Sequence, residues 1–434
     1  MLKVIRLTVS LQAFGYLFQF AAFFLFAKML GPEFQGILSI FRSTGQIIAS
    51  LLLLGLPGGI IYFVGKNRNL FNSVINNCLK LLIITFPILI LCLYTQPAKF
   101  LITKFAIGNY IPYLIILIFF LSCLGVFEAS ILSIKKYLFY NLFMFASGAI
   151  ILFFSVAVWF IPLADNKLLL SILGYIATYS IMFIYGAFLV FREGKEIYND
   201  RIKQSFRKHL QVGIKGFLST ISALLLYRLD LFLVGYFLSL KEVGIYSIAL
   251  FSIEILTKIP AWSAAVLTPM VAGNESGHIK RTIYLFYSAI IGTLFIGVIY
   301  LFAISISNNF ISNLIGKDFS GVEICMLFLL PRVVMQSGVV VLAANLAGKG
   351  YPWYHPIGCS IPLVILCLLD IYLIPVFGIN GAAIGNSLAY ISAVIFFWKG
   401  FIKYNKRDEI VSFKSYWQEI RGYFFQKLSL LTHY

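Results

Sequence analysis

Apolar runs of about 20 residues follow one another along almost the whole chain, and this pattern decides what the chain can fold into. At 1.5 Å rise per residue, each run crosses the ~30 Å hydrocarbon layer of a bilayer as a helix. Of 434 residues, 61% are hydrophobic and only 12% charged. No soluble core of this length needs so much apolar surface, so the chain reads as an all-α polytopic membrane protein.

Short turns punctuate the runs, among them Leu30-Gly31-Pro32, Gly65-Lys66-Asn67 and Phe377-Gly378-Ile379-Asn380-Gly381. They predict about twelve spans, roughly 7–29 and 39–64 at the start, 213–238, 244–271 and 321–346 in the second half, and 379–402 last. Met1–Phe20 has no small-residue cleavage site and reads as a retained first span.

The formal net charge of +18 does not point to nucleic acid, because no Lys/Arg tract alternates with stacking aromatics on a soluble domain. The basic residues collect in alternate loops: 21 Lys and Arg at the termini and on their side, against 6 on the other. Positive loops stay cytoplasmic, so both termini are expected in the cytoplasm. The six cysteines and four histidines have no ligand spacing, and no metal is expected.

The chain divides into spans one to six (1–191), a basic cytoplasmic linker (192–212), spans seven to twelve (213–402) and a basic tail (403–434). The halves are related. Leu30, Gly36, Ile37, Ser39 and Ile40 recur as Leu238, Gly244, Ile245, Ser247 and Ile248, at a constant offset of 208. Lys135, Tyr137 and Tyr140 recur as Lys349, Tyr351 and Tyr354, and Ile161-Pro162 as Ile374-Pro375, at nearly the same spacing. Six spans separate equivalent points, so the repeat has parallel topology, with its axis along the membrane normal and a central cavity between two lobes.

Three stretches carry a family resemblance. Phe26-Ala27-Lys28-Met29-Leu30-Gly31-Pro32-Glu33-Phe34-Gln35-Gly36 resembles the turn between the first two helices of polysaccharide-exporting flippases. Ile374-Pro375-Val376-Phe377-Gly378-Ile379-Asn380-Gly381-Ala382-Ala383-Ile384-Gly385 is similar to the junction of their last two, and Tyr227-Arg228-Leu229-Asp230-Leu231-Phe232-Leu233-Val234-Gly235 to their seventh, which typically carries an Asp there. Together they resemble the polysaccharide-transport (Wzx-like O-antigen flippase) branch of the multidrug/oligosaccharidyl-lipid/polysaccharide exporter superfamily. Lys28 departs from the Arg common at that place. The resemblance implies a V-shaped bundle that flips an undecaprenyl-diphosphate-linked oligosaccharide across the cytoplasmic (inner) membrane. It implies as partners the lipid-linked glycan, membrane lipids and glycan-assembly proteins.

Charges inside the spans are the candidate site, since each costs at least ~2.5–3.5 kcal/mol to insert at the bilayer centre. Arg228 and Asp230 lie near the middle of the seventh span and point to different helix faces. Interhelical ion pairs and direct contact with substrate or ion both account for them. Glu254 and Lys258 are four apart in the eighth span, which permits an internal pair; alternatively Glu254 takes a proton or Na⁺ and frees Lys258 for an anion. Arg332 follows Pro331, which opens the tenth helix locally. Arg42 is expected about one turn inside the outer end of the second span, where it snorkels or meets a diphosphate. Glu128 and Asp370 are expected to anchor span ends.

A diphosphate requires cations on desolvation, and Arg binds phosphate oxygens bidentately. Arg42, Arg228, Lys258 and Arg332 are therefore the candidate diphosphate ligands, and Asp230 and Glu254 the candidate ion-coupling groups. No cofactor is called for beyond coupling to an H⁺ or Na⁺ gradient. Two other functions compete: a multidrug or small-solute antiporter of the same superfamily, and a membrane glycan transferase or polymerase. An antiporter for organic cations favours acidic residues in its cavity, whereas these spans lean basic. The chain has no phosphate-binding GxxxxGK[ST] loop, no HExxH and no GxSxG, and its largest outer loop, about 95–110, holds no acidic residue, so no enzyme is expected.

Overall fold

The structure is a computed structural model that describes residues 2–93, 95–161, 166–197, 205–272, 276–306, 310–350, 352–405, 411–419 and 421. Among them, ten helical segments are long and apolar enough to cross a membrane. Two of the ten are hairpins, which restores twelve crossings. Helix α1 (Leu2–Leu52) breaks at Gly31, whose φ of 70° and ψ of 173° are open to glycine at no steric cost. Pro32 opens the second arm, where a missing N–H goes unnoticed. The Arg42 guanidinium then lies 5.7 Å from the Phe23 ring, though a straight helix would separate the two by about 28 Å. Helix α14 (Tyr354–Tyr404) breaks the same way at Gly378, and the rings of its first and last residues meet at 6.0 Å.

Between these hairpins run α2 (Leu56–Lys66), α3 (Phe71–Leu93), α4 (Gln96–Lys104), α5 (Ile111–Ser133), α6 (Tyr137–Phe160) and α7 (Lys167–Glu196). The second half continues with α8 (Phe206–Phe237), α9 (Leu240–Glu254), α10 (Lys258–Ala272), α11 (His278–Ile306), α12 (Phe310–Ile315) and α13 (Val322–Gly348). The outer faces expose Ile83, Leu91, Phe160, Phe191, Phe302 and Val376, a lipid-facing surface that water would not tolerate.

Two spans depart from the expected boundaries. The second begins at Pro32 rather than residue 39 and is interrupted between α1 and α2, where Leu54 and Gly55 take positive φ. The eighth is interrupted by a 3-10 turn, Ile255–Thr257, between α9 and α10. Proline explains both: Pro57 and Pro260 each lack the N–H owed to the carbonyl four residues back, so the helix ahead of each cannot close its last turn. Helices α7 and α8 also run into the linker, whose core at 198–204 lies outside the described residues, as do 406–410, 420 and 422–434 of the tail. A short tail helix, 413–419, packs its Phe413 and Tyr416 rings against Tyr287 of α11.

The lobes join on the side away from the termini through a self-complementary contact. A Cβ on Gly36 would lie 2.0 Å from the Leu240 carbonyl oxygen, and one on Gly244 would lie 1.8 Å from that of Pro32. Gly36 corresponds to Gly244 and Pro32 to Leu240 in the 208-residue repeat, so each half presents the same patch to the other. Such an isologous contact requires a twofold axis between the partners. Toward the termini the lobes meet again where α2 crosses α8: a Cβ on Gly55 would lie 2.2 Å from the Gly213 carbonyl oxygen, and His209 Nε2 lies 3.1 Å from the Leu56 oxygen.

Candidate functional site

The space between the lobes is a cavity of about 1250 Å³ lined by both halves of the chain. Toward the termini it is bordered by Tyr62, Ile214, Leu218 and Trp353, all exposed. At mid-depth it meets Arg42, Arg228, Glu254 and Lys258, with Gln19, Gln46 and Glu128 on the N-lobe wall.

Arg42 is not at the rim. Because the second arm of α1 starts at Pro32, Arg42 sits ten residues in, about 15 Å deep. Its guanidinium stacks 4.3 Å from the Tyr175 ring, and its Nε has no hydrogen-bond partner among the described residues. A planar guanidinium stacks on an aromatic ring in this way through one side.

Glu254 does not pair with Lys258. The 3-10 turn lies between them, and Glu254 Oε1 instead faces two arginines, Arg228 Nη1 at 3.9 Å and Arg332 Nη2 at 3.6 Å. Lys258 is carried to the N-lobe, its ammonium 4.5 Å over the Tyr16 ring. The side chains of Glu254 and Arg332 are 2% and 0% exposed and that of Arg228 19%, so the cluster is layered from the cavity inward. Arg228 faces the cavity; Arg332 lies behind Glu254, its guanidinium over the rings of Tyr227 and Tyr390 at 5.1 and 5.5 Å.

Pro331 sets the place of Arg332. The Arg332 amide, which would ordinarily bond to the Phe328 carbonyl, donates to Ser387 Oγ at 3.2 Å; that hydroxyl donates onward to the Phe328 oxygen at 2.7 Å. Ser387 thus bridges the opened turn and ties α13 to α14.

Asp230 points away from Arg228, as its spacing predicts, into the C-lobe. There it accepts from its own neighbour Leu231 N at 2.8 Å and from the Tyr246 hydroxyl and Asn386 amide. Asp370 is fully buried beside Gly385 rather than anchoring a span end. Among the described residues neither of its oxygens has a hydrogen-bond partner, nor has Asn386 Oδ1. The signal was in the sequence: Asp370 and Asn386 both lie eight residues from Gly378, so folding there brings them side by side. Glu128 is not an end anchor either; it lines the cavity. Among the described residues no group of three or more His, Cys, Asp or Glu is poised to hold a metal ion.

Two pseudo-symmetric lobes around a cation-lined cavity that reaches one membrane face define a membrane transporter. The sequence profile of the family described as "Polysaccharide biosynthesis protein" matches residues 1–275, and the chain belongs to that family. The match takes in Arg42, Arg228, Asp230, Glu254 and Lys258 and ends before Arg332 and Asp370. Among solved structures, the chain is similar to the lipid II flippase MurJ in an inward closed conformation, with a TM-score of 0.61 and 15% identity over 94% of this chain and 89% of that one. It is also similar to an inward-facing multidrug resistance MATE family transporter of the MOP superfamily, with a TM-score of 0.68 and 15% identity over 92% and 98%. The MATE multidrug transporter DinF-BH in complex with R6G gives 0.66 and 16% over 94% and 96%. At these identities the likeness is one of fold. A sequence comparison with curated proteins found no match. Family and fold together make this a membrane flippase or transporter of the multidrug/oligosaccharidyl-lipid/polysaccharide exporter superfamily.

Proposed function

We propose that the protein flips an undecaprenyl-diphosphate-linked oligosaccharide, a repeat unit of O-antigen, capsule or exopolysaccharide, from the inner to the outer leaflet of the cytoplasmic membrane by alternating access. The two lobes, 1–191 and 213–402, rock against each other so that the glycine contact parts when the cavity opens outward, with the linker 192–212, the tail 403–434 and both termini in the cytoplasm. The supporting observation is the cavity's charge. Arg42, Arg228 and Lys258 line a low-dielectric space between the lobes, where a diphosphate finds the cations it needs on leaving water. Arg332 acts through Glu254, which occupies the arginines while no substrate is bound.

In this reading a phosphate competes with Glu254 for Arg228, and loading from the cytoplasmic leaflet loosens the cluster. The coupling cation, H⁺ or Na⁺, binds among Asp230, Asp370 and Asn386, whose oxygens outnumber the donors around them. No chemical step is asked of the chain. The partners are the lipid-linked glycan, surrounding lipids and the proteins that build and consume the glycan.

Complementation tests the function. The gene should restore surface polysaccharide to a strain lacking its lipid-linked glycan flippase, and Arg228→Ala should abolish the restoration. Rescue of drug efflux without rescue of surface polysaccharide would assign the cavity to an antiporter.

A further inference from the structure

The central cavity has a side chamber that the transport reading leaves unused. A recess of about 240 Å³ enters the N-lobe between the first, second, fourth, fifth and sixth spans. It shares Gln19, Arg42, Gln46, Glu128 and Tyr179 with the main cavity, so the two are continuous. Its lining is unlike that of a lipid-tail groove. Gln46 and Glu128 carry no hydrogen bond or ion pair among the described residues, and Glu128 lies inside a span. Gln19 spends one amide hydrogen on Ser147 Oγ at 3.3 Å. Tyr179 also lines the chamber, as does Tyr175, whose ring already packs against Arg42 and Phe26.

We propose that this chamber binds the first sugar of the lipid-linked glycan, an inference that rests on the flippase reading above. The sugar attached to a diphosphate lies one glycosidic bond from it, so its pocket must adjoin the phosphate-binding cations. Arg42 stands at that junction, lining both spaces. A carboxylate and two carboxamides accept from and donate to vicinal hydroxyls, and aromatic rings cover the apolar face of a pyranose. The chamber is below the ~300–1,000 Å³ of whole-ligand pockets, which suits one sugar residue rather than a chain.

The test is binding to the purified full-length protein in nanodiscs. Two ligands are compared: lipid-linked oligosaccharide extracted from cells deleted for this gene, and sugar-free undecaprenyl diphosphate. Wild type should bind the glycosylated lipid more tightly. Glu128→Gln should lower that affinity by about tenfold to a hundredfold, the worth of a hydrogen bond to a charged group, and Gln46→Leu by about twofold to tenfold, that of a neutral one, while each leaves the sugar-free lipid within twofold. If both lipids weaken equally, if neither does, or if wild type binds them equally well, the sugar chamber is wrong and the diphosphate reading stands. If wild type binds neither lipid, both readings fall. Melting of each variant in detergent separates lost recognition from lost folding, and Glu128→Gln, which keeps the side chain's shape, should melt at or above wild type.

Discussion

Ser39 and Ser247, 208 positions apart and equivalent in the two halves of the chain, share a hydrogen bond between their hydroxyls at 3.0 Å. A residue that touches its own counterpart lies on the symmetry axis relating the halves. The axis therefore passes between the second and eighth spans, next to the contact of Gly36 with Leu240 and of Gly244 with Pro32. If transport opens the lobes on this side, this is the seam that must part.

Cysteines at the two serine positions should lock the seam. The spacing of Ser39 and Ser247 is within disulfide reach, so Ser39→Cys with Ser247→Cys should crosslink spontaneously or with mild oxidant. Transport should stop on crosslinking and return on reduction. Full transport by the crosslinked protein would mean that the seam does not open.

Glu254 should matter to stability before it matters to transport. It is the only acidic group within 4.0 Å of Arg228 and Arg332 among the described residues. Glu254→Ala leaves the buried Arg332 and the cavity-facing Arg228 without their shared carboxylate and should cost about 3–5 kcal/mol. Glu254→Gln with Arg332→Met removes both sides and should recover most of that, read by thermal melting in detergent.

The carboxylates of the C-lobe should govern the ion dependence. Asp370→Asn supplies a neutral group with its own donors to a place that lacks them. Transport should then stop responding to an imposed H⁺ or Na⁺ gradient while lipid binding persists. A gradient response unchanged from wild type would move coupling elsewhere.

His209, at the mouth of the bundle before the apolar stretch of α8, should make the fold acid-sensitive. Its Nε2 donates to the Leu56 carbonyl at 3.1 Å, while its buried Nδ1 has no partner among the described residues. Burial holds its pKa below the ordinary histidine value, and the Leu56 bond opposes this only in part. A depressed pKa means that the unfolded chain binds the extra proton more readily. The stabilisation is therefore complete above the ordinary value of about 6.5 and drains away as pH falls below it. Melting temperature should drop between pH 7.5 and 5.5 in wild type and change less in His209→Gln.

Much of this architecture was legible beforehand, and its gaps have physical causes. Span lengths, the turns at Gly31 and Gly378 and the 208-residue repeat follow from local sequence, because a bilayer demands long self-satisfied helices and a reversal demands glycine. The pairing of Glu254 was not legible from helical spacing, since Pro260 breaks the helix between it and Lys258. Arg42 was misjudged for a related reason: Pro32 starts its helix seven residues earlier than hydropathy suggests. Asp370 and Asn386 needed the hairpin folded at Gly378 before they met. The layering of Arg332 behind Glu254 depends on α13 packing on α14 through Ser387, a long-range contact with no local signal.

The central claim, that the cavity cations carry a lipid-linked diphosphate glycan between leaflets, is tested most directly in proteoliposomes. Lipid-linked oligosaccharide is loaded into both leaflets, and the fraction reached by an added glycosidase is followed in time. Wild type should expose the whole pool, with Arg228→Ala and Arg42→Ala stalling near the half that starts outside. Equal and complete exposure by wild type and both variants, or none by wild type, would contradict it.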